Sequence, residues 1–122
     1  PEVFGLSAAT KVYLAVEPVD MRKSFEGLYG LVRDWLEADP KSGHLFVFAN
    51  RDRTRVKVLL WDGSGLWVCA KRLEKGRFDW PRGLGERRSV VVRPEQLAML
   101  LNGLEVGRAQ ARRGWGHWMS AA

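Results

Sequence analysis

At 122 residues and 46% apolar content the chain is long enough for one domain with its own core, and too apolar for bulk disorder. Its apolar runs, such as Val12 to Val16 and Val58 to Trp61, are far too short to span a membrane, and its single cysteine, Cys69, excludes an internal disulfide and suits a reducing cytoplasm. The net charge of +6 is unevenly spread: residues 41–93 carry thirteen cations against five carboxylates, whereas residues 1–40 are net acidic. Such a block attracts polyanions, nucleic acid first and acidic proteins second.

In chain order, "KVYLAV" (11–16) predicts a strand that breaks at Glu17-Pro18. Asp20 then reads as the N-cap of a helix over about 21–37, with Met21, Phe25, Leu28, Leu31, Val32, Trp35 and Leu36 on one apolar stripe. Gly27 and Gly30 within it suggest close approach of a neighbouring element. "HLFVFAN" (44–50), "RVKVLLWD" (55–62) and "LWVCAKRLEK" (66–75) read as three strands joined by short turns, hence an antiparallel meander. "RFDWP" (77–81) offers a further short strand, and "SVVVR" (89–93) a last one. Pro94 opens a second helix over about 94–104, faced by Leu97, Leu100, Leu101 and Leu104. The expectation is α+β: an antiparallel meander of about four to six strands with two packed helices, in a single domain over 1–108, followed by a flexible tail over 109–122. The 21–37 helix is expected on the Val56/Val58/Leu60 face, and Cys69 is read as a packing residue.

The stretch "NRDRTRVKVLLWDG" (50–63) places Arg51, Arg53, Arg55 and Lys57 at alternate positions, followed in the same phase by Leu59 and Trp61. A four-residue loop over 51–54 pairs Asn50 with Arg55, Phe48 with Lys57 and Phe46 with Leu59. A three-residue loop over 63–65 pairs Trp61 with Trp67, Leu59 with Cys69 and Lys57 with Lys71. In that register Phe46, Phe48, Trp61 and Trp67 share a face with Arg55, Lys57 and Lys71. This is either a base-stacking and phosphate platform or a set of core aromatics under snorkelling lysines. The register is assumed, and a slip of one residue moves β-strand side chains to the other face. Arg51 and Arg53, in a turn, are read as free of the core, either as phosphate contacts or as part of a solvated loop. Arg22 and Lys23, taken as the first helical turn, add a second candidate anion site.

The catalytic motifs are missing: no GxxxxGK[ST], GxGxxG, HExxH or CxxC occurs, and His44 and His117 lie far apart. Asp20, Asp62 and Glu74 read better as a cap, a turn former and an ion-pair partner than as a metal-binding carboxylate cluster. The expectation is no enzyme, no metal and no cofactor.

"DMRKSFEGL" (20–28), "SGHLFVFANRDRTRVKVLLWDGSGLWVCAKRLEKGRFDWP" (42–81) and "PEQLAMLLNGLE" (94–105) resemble the second-open-reading-frame (TnpB) accessory proteins of the insertion sequence 66 (IS66) family of bacterial mobile elements. The resemblance spans about residues 10–105. It implies a protein encoded beside a separate transposase and needed for efficient transposition, without established catalytic activity. It assigns no molecular role to any motif residue. Joined with the residues, it gives a cytoplasmic accessory factor in DNA recombination. DNA contacts are expected from Arg51, Arg53, Arg55, Lys57, Lys71, Arg72, Arg22 and Lys23. The alternative is a module that binds the transposase through Trp61, Trp67, Trp80 or the second helix; an oligomer is open, and no membrane partner is expected.

Overall fold

Between Val12 and Trp61 the strand residues alternate between two apolar sets, and that alternation fixes a sheet buried on both faces. The structure, a computed structural model, describes residues 9–103. Strands β1 (Val12–Ala15), β2 (Leu45–Ala49), β3 (Arg55–Trp61), β4 (Leu66–Arg72) and β5 (Ser89–Val92) form one sheet in the order β4-β3-β2-β1-β5. β2–β3, β3–β4 and β1–β5 are antiparallel, but β1 and β2 run parallel. The α+β expectation holds, with a mixed sheet in place of a pure meander. The exception arises because β1 and β2 are joined by a helical crossover, which returns the chain to the same end of the sheet.

Helix α1 (Phe25–Gly30) and the π-helical stretch that continues it (Leu31–Trp35) lie on the face formed by Ala15, Phe46, Phe48 and Leu59, burying Leu28 and Val32 there. This corrects the expected Val56/Val58/Leu60 face. That face is already filled by Phe78, Trp80 and helix α2 (Pro94–Leu101), whose Leu97 and Leu100 pack with Val12, Leu14, Val47, Val56 and Leu60. Phe46 and Phe48 are 1% and 0% exposed, so they are core residues under α1 and present no ring to a base.

The first helix is shorter than its stripe suggested. Asp20 caps a separate turn, with its Oδ1 accepting from Arg22 N at 2.9 Å and its carbonyl from Lys23 N at 3.1 Å; α1 begins only after Ser24. Arg22 and Lys23 therefore precede the helix and are not its first turn. From Leu31 to Trp35 the helix widens to π geometry, with Leu36 N donating to Leu31 O at 2.9 Å. Glu37 (φ 55°) then takes the left-handed position and Ala38 N closes on Val32 O at 3.0 Å, which ends the helix. A Cβ on Gly30 would meet nothing within 4 Å, and one on Gly27 only the side chain of Lys23, so close approach of another element explains neither glycine.

Residues 77–81 form no strand. They pass over the sheet without joining it, with Phe78, Trp80 and Pro81 buried and Trp80 Nε1 donating to Ala15 O at 2.9 Å. Proline and the inward indole explain why this segment packs across the strands instead of joining an edge. At the head of α2, Arg93 N donates to the buried Gln96 Oε1 at 2.7 Å. Leu104 and the anticipated 109–122 tail lie outside the described residues. No helix among the described residues is long and apolar enough to cross a membrane.

Candidate nucleic-acid interface

The 50–55 turn is built by Asn50. Its Oδ1 accepts from Thr54 N at 2.9 Å and Arg55 N at 3.0 Å, and its amide donates to Thr54 Oγ1 at 3.1 Å. This fixes the four-residue loop and the expected β2–β3 register, with Phe46 opposite Leu59 and Phe48 opposite Lys57. Arg51 and Asp52 stand exposed at the tip.

Arg53 does not belong with them. It holds a left-handed backbone (φ 58°), its carbonyl accepts from Phe78 N at 2.6 Å, and its Nη2 donates to Val16 O at 3.0 Å. Its guanidinium sits 5.3 Å from the Trp80 ring centre, and its buried Nη1 has no hydrogen-bond partner. Burial is the leading influence on this guanidinium and lowers its pKa, opposed by nearby Glu17. The expectation that Arg53 stands clear of the core is corrected: it ties the β2–β3 turn to the segment that carries Trp80.

The second turn differs from the assumed one. Asp62 Oδ1 accepts from Ser64 N and Gly65 N, both at 2.9 Å, while Oδ2 accepts from Trp67 Nε1 at 2.7 Å. These bonds hold the Asp62 carboxyl far below the usual carboxylate range, the Ser64 amide contributing most. The loop is thus four residues, Asp62–Gly65, and Trp61 pairs with Leu66. Relative to the assumed register β4 has slipped by one. Lys57 faces Ala70 and Leu59 faces Val68, so Trp67, Cys69 and Lys71 move to the opposite face. Cys69 is exposed there, not packed.

The slip also creates a pair that the sequence reading did not contain: Arg55 lies directly opposite Arg72. Both are exposed, and with Met21, Lys57, Ala70 and Glu74 they line an open groove of about 520 Å³. Like charges opposed on a sheet are destabilising unless an anion lies between them. Arg72 has one weak exposed partner, Glu74 at 3.5 Å, and the Arg55 side chain has none among the described residues. Lys57 Nζ donates to Lys23 O at 2.7 Å, which draws the 21–23 turn against the same groove. Arg22 is clamped on Asp20 by two nitrogens, at 3.0 Å from Nε and 2.7 Å from Nη2. That clamp lowers Asp20 to about 2. The fold therefore gathers Arg55, Lys57, Arg72, Arg22 and Lys23 on one side, with Arg51 at the adjoining tip. Lys71 borders the groove, but its side chain belongs to the other face of the sheet, where its Nζ donates to Leu101 O at the end of α2.

Of the three tryptophans considered as protein anchors, Trp80 is 4% exposed and already bonded inside the core. Trp61 is half-buried with Lys41 Nζ 5.0 Å from its ring centre. Trp67 is 45% exposed. Sequence reading missed Met21 and Glu74 as groove residues: Glu74 stands two positions beyond Arg72, and the register of β4 sets Arg72 opposite Arg55 in the groove that Met21 also lines.

The family model described as IS66 Orf2 like protein matches residues 10–111. An uncharacterised protein of Sinorhizobium fredii, y4jC, is 34% identical over 110 residues, covering 90% of this chain and 92% of that protein. A second from the same organism, y4hO, is 38% identical over 95 residues, covering 78% and 81%. No solved structure matches the chain at a significant level.

Proposed function

We propose, from the premise that this chain belongs to the IS66 Orf2-like family of insertion-sequence accessory proteins, that it supports transposition in the bacterial cytoplasm by binding duplex DNA along its phosphates. The observation that carries this reading is the exposed Arg55–Arg72 pair, two opposed cations that lack a strong partner, beside Lys57 and the Arg22–Lys23 turn. A phosphate between two guanidiniums would turn a repulsive cross-strand pair into an attractive one. No element among the described residues resembles a base-reading helix, so these contacts would position the duplex and carry little sequence information. Arg51 extends the same line at the hairpin tip. Arg53 is left out of the contact set, because its guanidinium is engaged inward.

Binding to a labelled duplex across a salt series tests this. Each neutralised phosphate adds about 0.9 to the magnitude of the log–log slope, so Arg55→Ala with Arg72→Ala is expected to flatten it by up to about 2. The loss should be similar on unrelated sequences. Undetectable binding at low salt, or wild-type behaviour of the double variant, would remove the DNA reading. The protein is also read as non-catalytic; nicking of supercoiled plasmid with Mg²⁺ or Mn²⁺ by the purified chain would contradict that.

The second reading is direct binding to the element's transposase, favoured by the exposure of Trp67 (45%) and Phe25 (47%). Co-purification with transposase that survives nuclease treatment and is lost on Trp67→Ala would place this reading first.

A further inference from the structure

Among the described residues β4 is the outermost strand of the sheet, and its outer edge has an unusual composition. Hydrogen bonds flank its ladder with β3: Leu73 N donates to Thr54 O at 2.9 Å and Asp62 N to Gly65 O at 3.0 Å. Antiparallel pairs alternate between bonded and non-bonded, so Trp67, Cys69 and Lys71 exchange bonds with β3. Leu66, Val68, Ala70 and Arg72 turn their N–H and C=O groups outward. Natural edges of this kind are blunted by proline, a bulge, charges or a covering element. Along β4 the residues Leu66 to Ala70 bring none of the first three, and among the described residues no strand pairs with β4 on the side away from β3. The two cations, Lys71 and Arg72, are confined to one end.

We infer that β4 pairs antiparallel with β4 of a second copy, joining two sheets into one across a twofold axis at Cys69. A twofold normal to the sheet keeps each face on its own side, so only registers that pair residues of equal parity are allowed. Full overlap of Leu66–Arg72 with its copy selects one of them, centred on Cys69, the midpoint of the strand. In that register Leu66 meets Arg72 and Val68 meets Ala70, and each outward amide and carbonyl finds a partner. Lys71 meets Trp67, and no two like charges are opposed. The charge asymmetry of the strand, which would blunt a parallel or shifted contact, is self-complementary here. Cys69 faces Cys69 in a non-bonded pair, where Cα atoms lie about 4.5 Å apart, inside the range a disulfide can bridge. The thiols serve as a reporter of the register; the association itself rests on the backbone edge and does not depend on the DNA reading.

Sedimentation of the full chain under reducing conditions should show a concentration-dependent dimer. Diamide, which takes up the two thiol hydrogens as the disulfide forms, should convert the protein to a covalent dimer on a non-reducing gel. Cys69→Ser should abolish the cross-link and keep the sedimenting dimer. Cys69→Lys sets like charges face to face at the axis and should weaken dimerisation at least tenfold, without altering the circular dichroism of an exposed edge residue. Ala70→Pro, which removes an outward N–H and leaves the β3 ladder intact, should give a monomer; if it does not fold, Cys69→Lys still decides. A chain that stays monomeric at every concentration overturns the proposal, as does a dimer indifferent to both variants. Amide protection at Val68 and Ala70 that dilution does not lower would also overturn it, by placing another segment of the same chain on the edge.

Discussion

Replacing Arg53 with alanine should cost the protein stability even though the residue sits in a surface turn. The guanidinium donates one charged hydrogen bond to Val16 O at 3.0 Å and lies 5.3 Å from the Trp80 ring centre. A hydrogen bond from a charged group contributes about 1.5–3 kcal/mol, and a partly shielded cation–ring contact about 1 kcal/mol. Against these stands the buried, unpartnered Nη1, whose desolvation costs about 1–2 kcal/mol and is relieved on truncation. The net loss for Arg53→Ala comes to about 2 kcal/mol, or a fall of about 8 °C in Tm at about 4 °C per kcal/mol. Alanine keeps the left-handed strain at φ 58°, whereas glycine relieves about 1 kcal/mol of it. Arg53→Gly should therefore recover about half of the loss, and Arg51→Ala should stay within about 0.5 kcal/mol of wild type. Urea denaturation followed by circular dichroism measures all three. If Arg53→Ala unfolds with Arg51→Ala, and glycine is no better than alanine, the inward role of this side chain is refuted.

Asp62→Asn should remove part of the acid dependence of stability. The Asp62 pKa is depressed in the fold, so its stabilisation is present above the ordinary value of about 4 and is lost as pH falls through the lower folded value. The Tm difference between wild type and variant should be largest at neutral pH and close in strong acid; a pH-independent gap would count against the carboxylate's role. Leu28→Ala, at a fully buried site under the sheet, should destabilise by about 2–5 kcal/mol in urea. Gly30→Ala should instead stabilise by about 0.5–1 kcal/mol, since its backbone is right-handed helical and a Cβ meets nothing within 4 Å; a loss would reveal a neighbour at that position.

The strands were legible in the sequence because period-two alternation of β-branched and aromatic residues is a strong local signal. Observed limits fall within a few residues of the expected ones, most widely at β4, which ends at Arg72 against an expected Lys75. What was not legible depended on single hydrogen bonds. The Asp62 carboxylate chooses a four-residue turn over a three-residue one, and that choice moves Trp67, Cys69 and Lys71 across the sheet. Likewise the apolar stripe of residues 21–36 carries no mark of where the helix begins, because Asp20 can cap a lone turn as readily as a helix. The Arg55–Arg72 pair was hidden for the same reason: each residue was singled out, but their opposition follows only from the register. Arg53 was misjudged because turn residues are ordinarily exposed, and its inward path depends on Trp80, twenty-seven positions further along the chain.

The parallel seam between β1 and β2 sets an order on how the sheet can be completed during synthesis. The hairpins from Leu45 to Arg72 join neighbours in sequence and can close as soon as they emerge. β1 is made first but lies between β2 and β5, and its pairing with Val90 to Val92 must wait for nearly the whole described chain. Over that interval the outer edge of β1, Val12 to Ala15, has no strand beside it, so a slow ribosome passing through residues 73–92 prolongs the time in which nascent chains can cross-pair.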